Sequence, residues 1–536
     1  MEACGTHTPG SKFESCTLLV FIKPKRNQFA FKKNCKPFTA NSFLTIMPKA
    51  IVIGAGIAGI ATAIRLRKKG YEVTVYEANA YTGGKLHAFK SKGYRFDAGP
   101  SLFTMPQYVE ALFSLCKEPT EEHFTYKRKD TVCHYFWEDG QRFVARADKD
   151  EFIDDAAKTF QEDRSVIAKY LRRNAEKYAI THHVFLEKSL HKLSTYFSWD
   201  TFKSFLQMPR LHISKSLHKL NRQTFNNEKL VQLFDRYATY NGSDPYKTPG
   251  IMSIIPHLEM HFGTFFPTNG MHDISQSLTK LAERQGIQFE LNSKVSKIVV
   301  QGGQARGVEV KGSTQSAEVV VSNMDVFSSY KHLLKDQKQP EKTLRQERSS
   351  SALIFYWGIK KEFPELDLHN IFFSDNYREE FRQLFDEKGL FNDPTVYVHI
   401  SSKDKPDDAP EGCENWFVMI NTPGNFGQDW ERLKKEARAN ILAKLKRILG
   451  EDIESLIETE DVLEPITIES KTSSHRGSLY GASSNSQFAA FLRHPNFSGK
   501  IENLYFCGGS VHPGGGIPLC LLSARITADM VPEIRS

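Results

Sequence analysis

The sequence predicts an α/β chain in which a nucleotide-binding domain is interwoven with a second domain of mixed sheet and helices. Three observations predict it. An apolar run at 50–53 breaks at Gly54-Ala55-Gly56-Ile57-Ala58-Gly59, a helical pattern continues to Gly70, and a second apolar run at 73–76 ends on Glu77. Far downstream, a strand-like run at 503–507 opens into a loop with five glycines between Gly508 and Gly516, followed by another helical pattern. The 536 residues exceed what one hydrophobic core accommodates, so two intertwined domains are the natural expectation.

The first stretch reads as a Rossmann-type unit of strand, glycine turn, helix, strand and acid. Gly54 permits the tight turn, Gly56 lets the backbone approach a pyrophosphate, and Gly59 lets the helix pack closely. Unpaired N–H groups around Ile57 and Ala58 at the helix start, with the positive end of its dipole, suit the phosphates. Glu77 stands 23 residues past Gly54, next to Ala78, where a carboxylate accepts hydrogen bonds from a ribose diol and repels a 2′-phosphate. That argues for a dinucleotide other than NADP. The doublet Gly83-Gly84 with Lys85 lets the backbone run close to a cofactor that extends beyond its adenosine half.

The dinucleotide motif, the glycine doublet and Phe96-Asp97-Ala98-Gly99-Pro100-Ser101 together resemble the FAD-dependent amine oxidase superfamily. Within it they are similar to carotenoid desaturases of the bacterial and fungal phytoene desaturase type. The resemblance implies FAD as cofactor, with Gly99, Pro100 and Ser101 added to the cofactor-binding set. It also implies that Val295, in Asn292-x-x-Val295-x-x-Ile298, meets the adenine through its backbone.

Along the chain, residues 1–46 carry seven Lys/Arg, two Glu and three of the eight cysteines, without periodicity. They read as an over-extended start or a transit peptide, outside the fold. Residues 47–148 form a first cofactor segment of strands and turns, with one helix near 108–115 and a hairpin at Glu138-Asp139-Gly140. Residues 149–264 are helical and basic; the stretch 158–222 has 13 Lys/Arg against 5 Asp/Glu. The plain reading is a solvated face, while a lipid-soluble substrate favours contact with an anionic membrane surface. No nucleic-acid-binding motif accompanies the charge.

Residues 265–330 read as a second cofactor segment, with a helix after Gly270, a strand at 287–291 and the apolar run 319–321 before Ser322-Asn323-Met324-Asp325. Residues 331–490 read as a substrate-domain sheet and helices: a charged, mobile-looking linker at 335–348, strands at 350–359, 395–400 and 416–421, and a helix at 430–449. The sheet is expected to wall an apolar channel. Residues 491–536 close the cofactor domain.

In that last segment Gly508, Gly509, Gly515, Gly516 and Ile517 are expected to lie against the flavin ring, with the following helix start aimed at its anionic edge. Leu519, Leu522, Ile526 and Met530 are expected on one helix face. His512 is the one titratable side chain in the loop and a candidate for moving a proton. The ending Ser510–Cys520 and the stretch 477–497 look similar to hydroxycarotenoid 3,4-desaturases as much as to phytoene desaturases.

The cysteines are scattered, without C-x-x-C pairs or a His/Cys cluster at metal spacing, and no run of 18 apolar residues occurs. The resemblance implies FAD-dependent desaturation of an acyclic C40 carotenoid, and with no spanning run the protein is expected to be peripheral, on the cytoplasmic side of a membrane. Oxygen or a quinone is the expected electron acceptor, since no second dinucleotide motif is present. The alternatives are a flavin-dependent carotenoid isomerase, and a non-catalytic prenyl-lipid carrier of the architecture of Rab GDI proteins.

Overall fold

The computed structural model describes residues 47–183, 187–191, 207–486 and 493–534. The extension 1–46 lies outside the described residues, as do parts of the basic stretch and of the stretch 477–497.

The apolar runs become strands because their central residues are buried or half-buried within a sheet, while Lys49, Glu72, Gln288 and Glu290 stay exposed at the strand ends. Five such strands form one parallel sheet, in the order Leu504–Phe506, Val319–Ser322, Lys49–Ile53, Glu72–Tyr76 and Gln288–Glu290. Three distant segments thus meet in one sheet. Helices Ile57–Lys68, Asp273–Arg284 and Ile517–Met530 pack against it through Ile60, Ile64, Ile274, Leu278, Leu521 and Ala524. The last helix is buried nearly all round rather than along the expected stripe. Leu522 and Ile526 are buried, but so are Ser523, Ala524, Thr527 and Ala528, while Leu519 and Met530 are only partly covered. Packing between the first helix and the sheet, not amphipathicity, selects its residues.

A second sheet has seven strands in the order Ile457–Leu463, Ser351–Ile359, Glu414–Thr422, Val396–Ile400, His369–Phe372, Thr131–Phe136 and Arg142–Arg146. It is antiparallel except where His369–Phe372 meets Thr131–Phe136. Side chains alternate across the long central strand. Leu353, Phe355 and Trp357 pack with Ala437, Ile441 and Leu445 of helix Trp430–Leu449, whereas Ala352, Ile354 and Tyr356 pack on Tyr94 and Phe96.

Two expectations need correction. Strands Thr131–Phe136 and Arg142–Arg146 were assigned to the cofactor segment ending at 148, but they pair in the seven-stranded sheet. A hairpin signal identifies two strands and their turn; it carries no information on which sheet edge receives them. The segment at 335–348 is also not a loose linker. Leu344 is buried, Arg348 pairs with Asp325, and the Gln339 amide donates to the carbonyls of Tyr330, Leu334 and Gln337.

Glu380 shows how the second domain responds to pH. Its carboxylate accepts from the Thr395 N–H at 3.0 Å and the Thr395 hydroxyl at 2.7 Å, and burial pushes the carboxyl up to about 7. Because the folded value lies above the unfolded one, its contribution is fully present below about pH 4.5 and is lost as pH rises through about 7. Glu380→Gln keeps an acceptor for the N–H and offers a donor to the hydroxyl oxygen. Denaturation midpoints at pH 5 and pH 8 are therefore expected to differ less in the variant, by on the order of 2–3 kcal/mol in unfolding free energy.

Candidate cofactor and substrate site

The site forms at the carboxyl ends of the parallel strands, where Lys49–Ile53 and Val319–Ser322 lie side by side and their chains diverge. Gly54 turns with φ +95°, its N–H donating to the Tyr76 carbonyl at 2.8 Å. A Cβ on Gly59 would lie 2.1 Å from the Gly54 carbonyl oxygen, and one on Gly56 would lie 2.6 Å from Asn323 Oδ1. Gly59 thus serves helix-to-turn contact, and Gly56 makes room for the protein's own Asn323 beside the turn.

Glu77 is buried, with Oε2 accepting from the Ala55 N–H at 2.7 Å and Oε1 from the Asn79 backbone and amide N–H groups at 2.8 Å each. The second glycine pair closes over the first: Gly83 N–H donates to the Ala55 carbonyl at 2.7 Å, and a Cβ on Gly84 would approach Gly56 Cα at 3.3 Å. Gly99 is equally constrained, since a Cβ there would stand 1.8 Å from the Lys85 carbonyl.

The C-terminal loop wraps the same space. Gly508 (φ +111°) would place a Cβ 2.6 Å from Asn323 Nδ2, and Gly515 would place one 2.9 Å from Tyr480. Gly516, with φ +101°, stands apart because a Cβ there meets nothing within 4 Å. It caps the helix Ile517–Met530, whose first turn faces a cavity of about 600 Å³.

That cavity brings together nearly the whole set expected from the sequence. Gly54, Gly56, Ile57, Ala58, Glu77 and Ala78 line it, with Gly83, Gly84, Lys85, Gly99, Pro100 and Ser101. Val295, Gly508, Gly509, His512, Gly515, Gly516 and Ile517 line it as well. Ala55 and Gly59 do not; both are packed behind the turn.

Three polar side chains there have tasks that motif reading did not supply. The Lys85 ammonium donates to the carbonyls of Ser478 and Leu479 at 2.9 Å each, and burial lowers its pKa to about 8. His512 Nε2 donates to the Lys188 carbonyl at 2.9 Å, and burial lowers its pKa to about 4, so the ring is neutral with its proton on Nε2. Arg493 donates to the Tyr480 and Gly509 carbonyls at 2.7 and 3.3 Å. Its buried Nε has no partner among the described residues and lies 3.2 Å from where a Gly514 Cβ would be. Burial lowers the Arg493 pKa to about 10.

Arg493 and Asn323 were missed because neither belongs to a spaced motif. For Asn323 the signal was its place at the carboxyl end of a buried parallel strand. Beyond these groups the cavity runs between Ile251, Ile254, Leu258, Ile354, Phe417 and Met419, so the seven-stranded sheet does wall it.

A dinucleotide turn, an acid aimed at it and a glycine loop with open space before a helix start define a flavoprotein oxidoreductase. The space beside Gly516 and the unpartnered Arg493 Nε fit a planar, polar-edged group. The model of the flavin-containing amine oxidoreductase family matches residues 57–532, and the chain belongs to that family, with FAD as its cofactor. It is 58% identical over 487 residues to a 1-hydroxycarotenoid 3,4-desaturase of Flavobacterium sp. (strain P99-3), covering 91% of this chain and 99% of that one. It is 29% identical to a phytoene desaturase of Fusarium fujikuroi, covering 91% and 89%. A solved putrescine oxidase superposes with a TM-score of 0.61 at 15% identity, covering 90% and 98%, which shows the fold.

Proposed function

We propose that this protein is an FAD-dependent desaturase of acyclic carotenoids, and that its substrate is a hydroxylated, already conjugated C40 polyene which it desaturates at C3–C4. The carrying observation is the apolar cavity continuous with the glycine cradle, supported by the 58% identity across nearly the whole chain. Bound FAD supplies the hydride acceptor that no side chain can replace.

The chain's own residues do the rest. Glu77 and the turn at Gly54 and Gly56 would hold the adenosine half of FAD, Val295 would meet the adenine, and the loops around Gly99 and Gly515 would hold the ring half. The start of helix Ile517–Met530, capped by Gly516, would offer its positive end to the polar edge of a bound flavin and favour negative charge there. Ile354, Phe417 and Met419 hold the polyene in place and exclude water. The strands contributed by 47–76, 288–322 and 504–506 make up the cofactor domain, and the seven-stranded sheet with its helices makes up the substrate domain.

A proton shuttle at His512 would run through Nδ1, because Nε2–H is held by the Lys188 carbonyl. His512→Asn is expected to lower turnover without removing any inflection between pH 5.5 and 8, as the wild-type ring stays neutral across that range. A pH–rate profile of both proteins checks it.

Docking to a membrane is supported by the lipid-soluble substrate and by the exposed Lys169, Arg172 and Arg173 of helix Arg164–Thr181. Among the described residues no helix is long and apolar enough to cross a membrane. Oxygen or a quinone is the proposed acceptor; sustained turnover in vesicles free of both would exclude it.

The decisive experiment follows the visible spectrum of the holoenzyme with polyenes in vesicles under anaerobic conditions. Flavin bleaching as longer-wavelength polyene bands rise, with a hydroxylated substrate and not with phytoene, supports 3,4-desaturation. Bleaching with phytoene selects phytoene desaturation instead. A changed polyene geometry without net oxidation selects the isomerase, and a folded protein lacking flavin selects the carrier.

A further inference from the structure

The cavity is hydrocarbon-lined over most of its length, yet one part of its wall carries a full charge network that the cofactor cradle does not use. Arg236 and Glu259 are both buried, with 7% and 3% of their surface exposed, and both line the cavity with Tyr240. Arg236 Nη2 donates to the hydroxyls of Tyr135 (2.8 Å) and Tyr240 (3.1 Å). Its guanidinium lies 4.9–5.3 Å from the ring centres of Tyr135, Tyr237 and Tyr240, which form an aromatic cage around it. Glu259 accepts from the Tyr237 hydroxyl at 2.8 Å and from the Tyr240 hydroxyl, so Tyr240 links cation to anion.

One donor of this network is left over. Arg236 Nε is buried without a hydrogen-bond partner among the described residues, and so is Nε2 of His369, another residue of the cavity wall. A hydrocarbon against this wall would leave that donor without a hydrogen bond, at the desolvation cost of a buried unpaired N–H. A polar group on the ligand would satisfy it. A carbonyl offers acceptors only, whereas a hydroxyl both accepts from an N–H and donates to a carboxylate with spare lone pairs. Arg236 and Glu259, linked through the Tyr240 hydroxyl, present both complements.

We propose that Arg236, Tyr240 and Glu259 form a subsite for the terminal hydroxyl of the polyene, and so determine which carotenoid the enzyme accepts; this rests on the carotenoid reading above. A network that served folding alone would be indifferent to a hydroxyl on the ligand.

The test uses the FAD-loaded full chain with two non-reacting ligands in phosphatidylcholine vesicles: fully conjugated acyclic C40 polyenes with and without a terminal tertiary hydroxyl. The wild type is expected to bind the hydroxylated one about 10- to 100-fold more tightly. In Arg236→Met that ratio is expected to fall to near one, and in Glu259→Gln to an intermediate value, with the flavin spectrum reporting an intact fold. Should Arg236→Met fail to fold, Arg236→Lys keeps the charge, lacks the Nε–H and is expected to lose most of the preference.

An unchanged ratio in flavin-bound variants overturns the subsite, as does a wild type that binds both polyenes equally. Equal desaturation of hydroxylated and hydroxyl-free substrates by the wild type removes this inference and leaves the desaturase standing. Absence of flavin bleaching with any polyene removes the desaturase itself.

Discussion

Gly59→Ala is expected to give a destabilised protein that retains little or no FAD, although alanine is the better helix former by about 1 kcal/mol. The residue sits in the first turn of helix Ile57–Lys68, and its added Cβ would stand 2.1 Å from the Gly54 carbonyl oxygen. The obstacle is backbone, so no side-chain rotation relieves it. Asn323, whose Oδ1 is 3.0 Å from the same point, blocks the other direction. The turn or the helix must shift, and overpacking of this kind costs about 1–3 kcal/mol.

The larger loss falls on the cofactor. The same turn fixes the Ala55 N–H against Glu77 and the Ala55 carbonyl against Gly83, so displacement propagates to both glycine pairs. Flavin absorbance per protein after gel filtration, with thermal denaturation, checks the effect. Gly389→Ala is the control: its Cβ meets nothing within 4 Å, so both readouts should match wild type.

What the sequence made legible was mostly local. Strand, turn, helix and acid at 49–77 were readable because each has its own periodicity or conformational requirement within a few residues. The C-terminal glycine loop was readable for the same reason. The cavity's polar wall was not. Arg236 and Glu259 come from neighbouring helical segments with no motif spacing, and on the chain each is an ordinary charged residue. Only burial and the convergence of Tyr135, from a strand a hundred residues earlier, turn them into a network. The boundary at 148 failed likewise, because Thr131–Phe136 finds its parallel partner in His369–Phe372. The excess charge of 158–222 also said less than its count. Arg164 is engaged by Asp150 and Asp154, and Arg172 approaches Glu176 at 4.0 Å.

Glu77→Gln is expected to weaken FAD binding by about 10- to 100-fold while leaving the fold largely in place. Three N–H donors converge on this carboxylate, from Ala55, the Asn79 backbone and the Asn79 side chain. A carboxylate accepts on both oxygens and keeps lone pairs for a ribose diol. A glutamine has one oxygen; its amide must face either the Ala55 N–H or the two Asn79 donors, setting donor against donor in a buried place. Rotation of the Asn79 side chain removes one of these conflicts, but neither backbone N–H can turn away. The variant therefore loses acceptors on the protein side and toward the cofactor at once. Glu77→Asp separates the two effects. It keeps the charge but shortens the reach, so it should restore little of the Ala55 contact at 2.7 Å and correspondingly little affinity. Titration of deflavinated protein with FAD, read by flavin fluorescence, measures all three. Wild-type affinity in Glu77→Gln would mean that the ribose is held elsewhere, and that this acid serves the glycine turn alone.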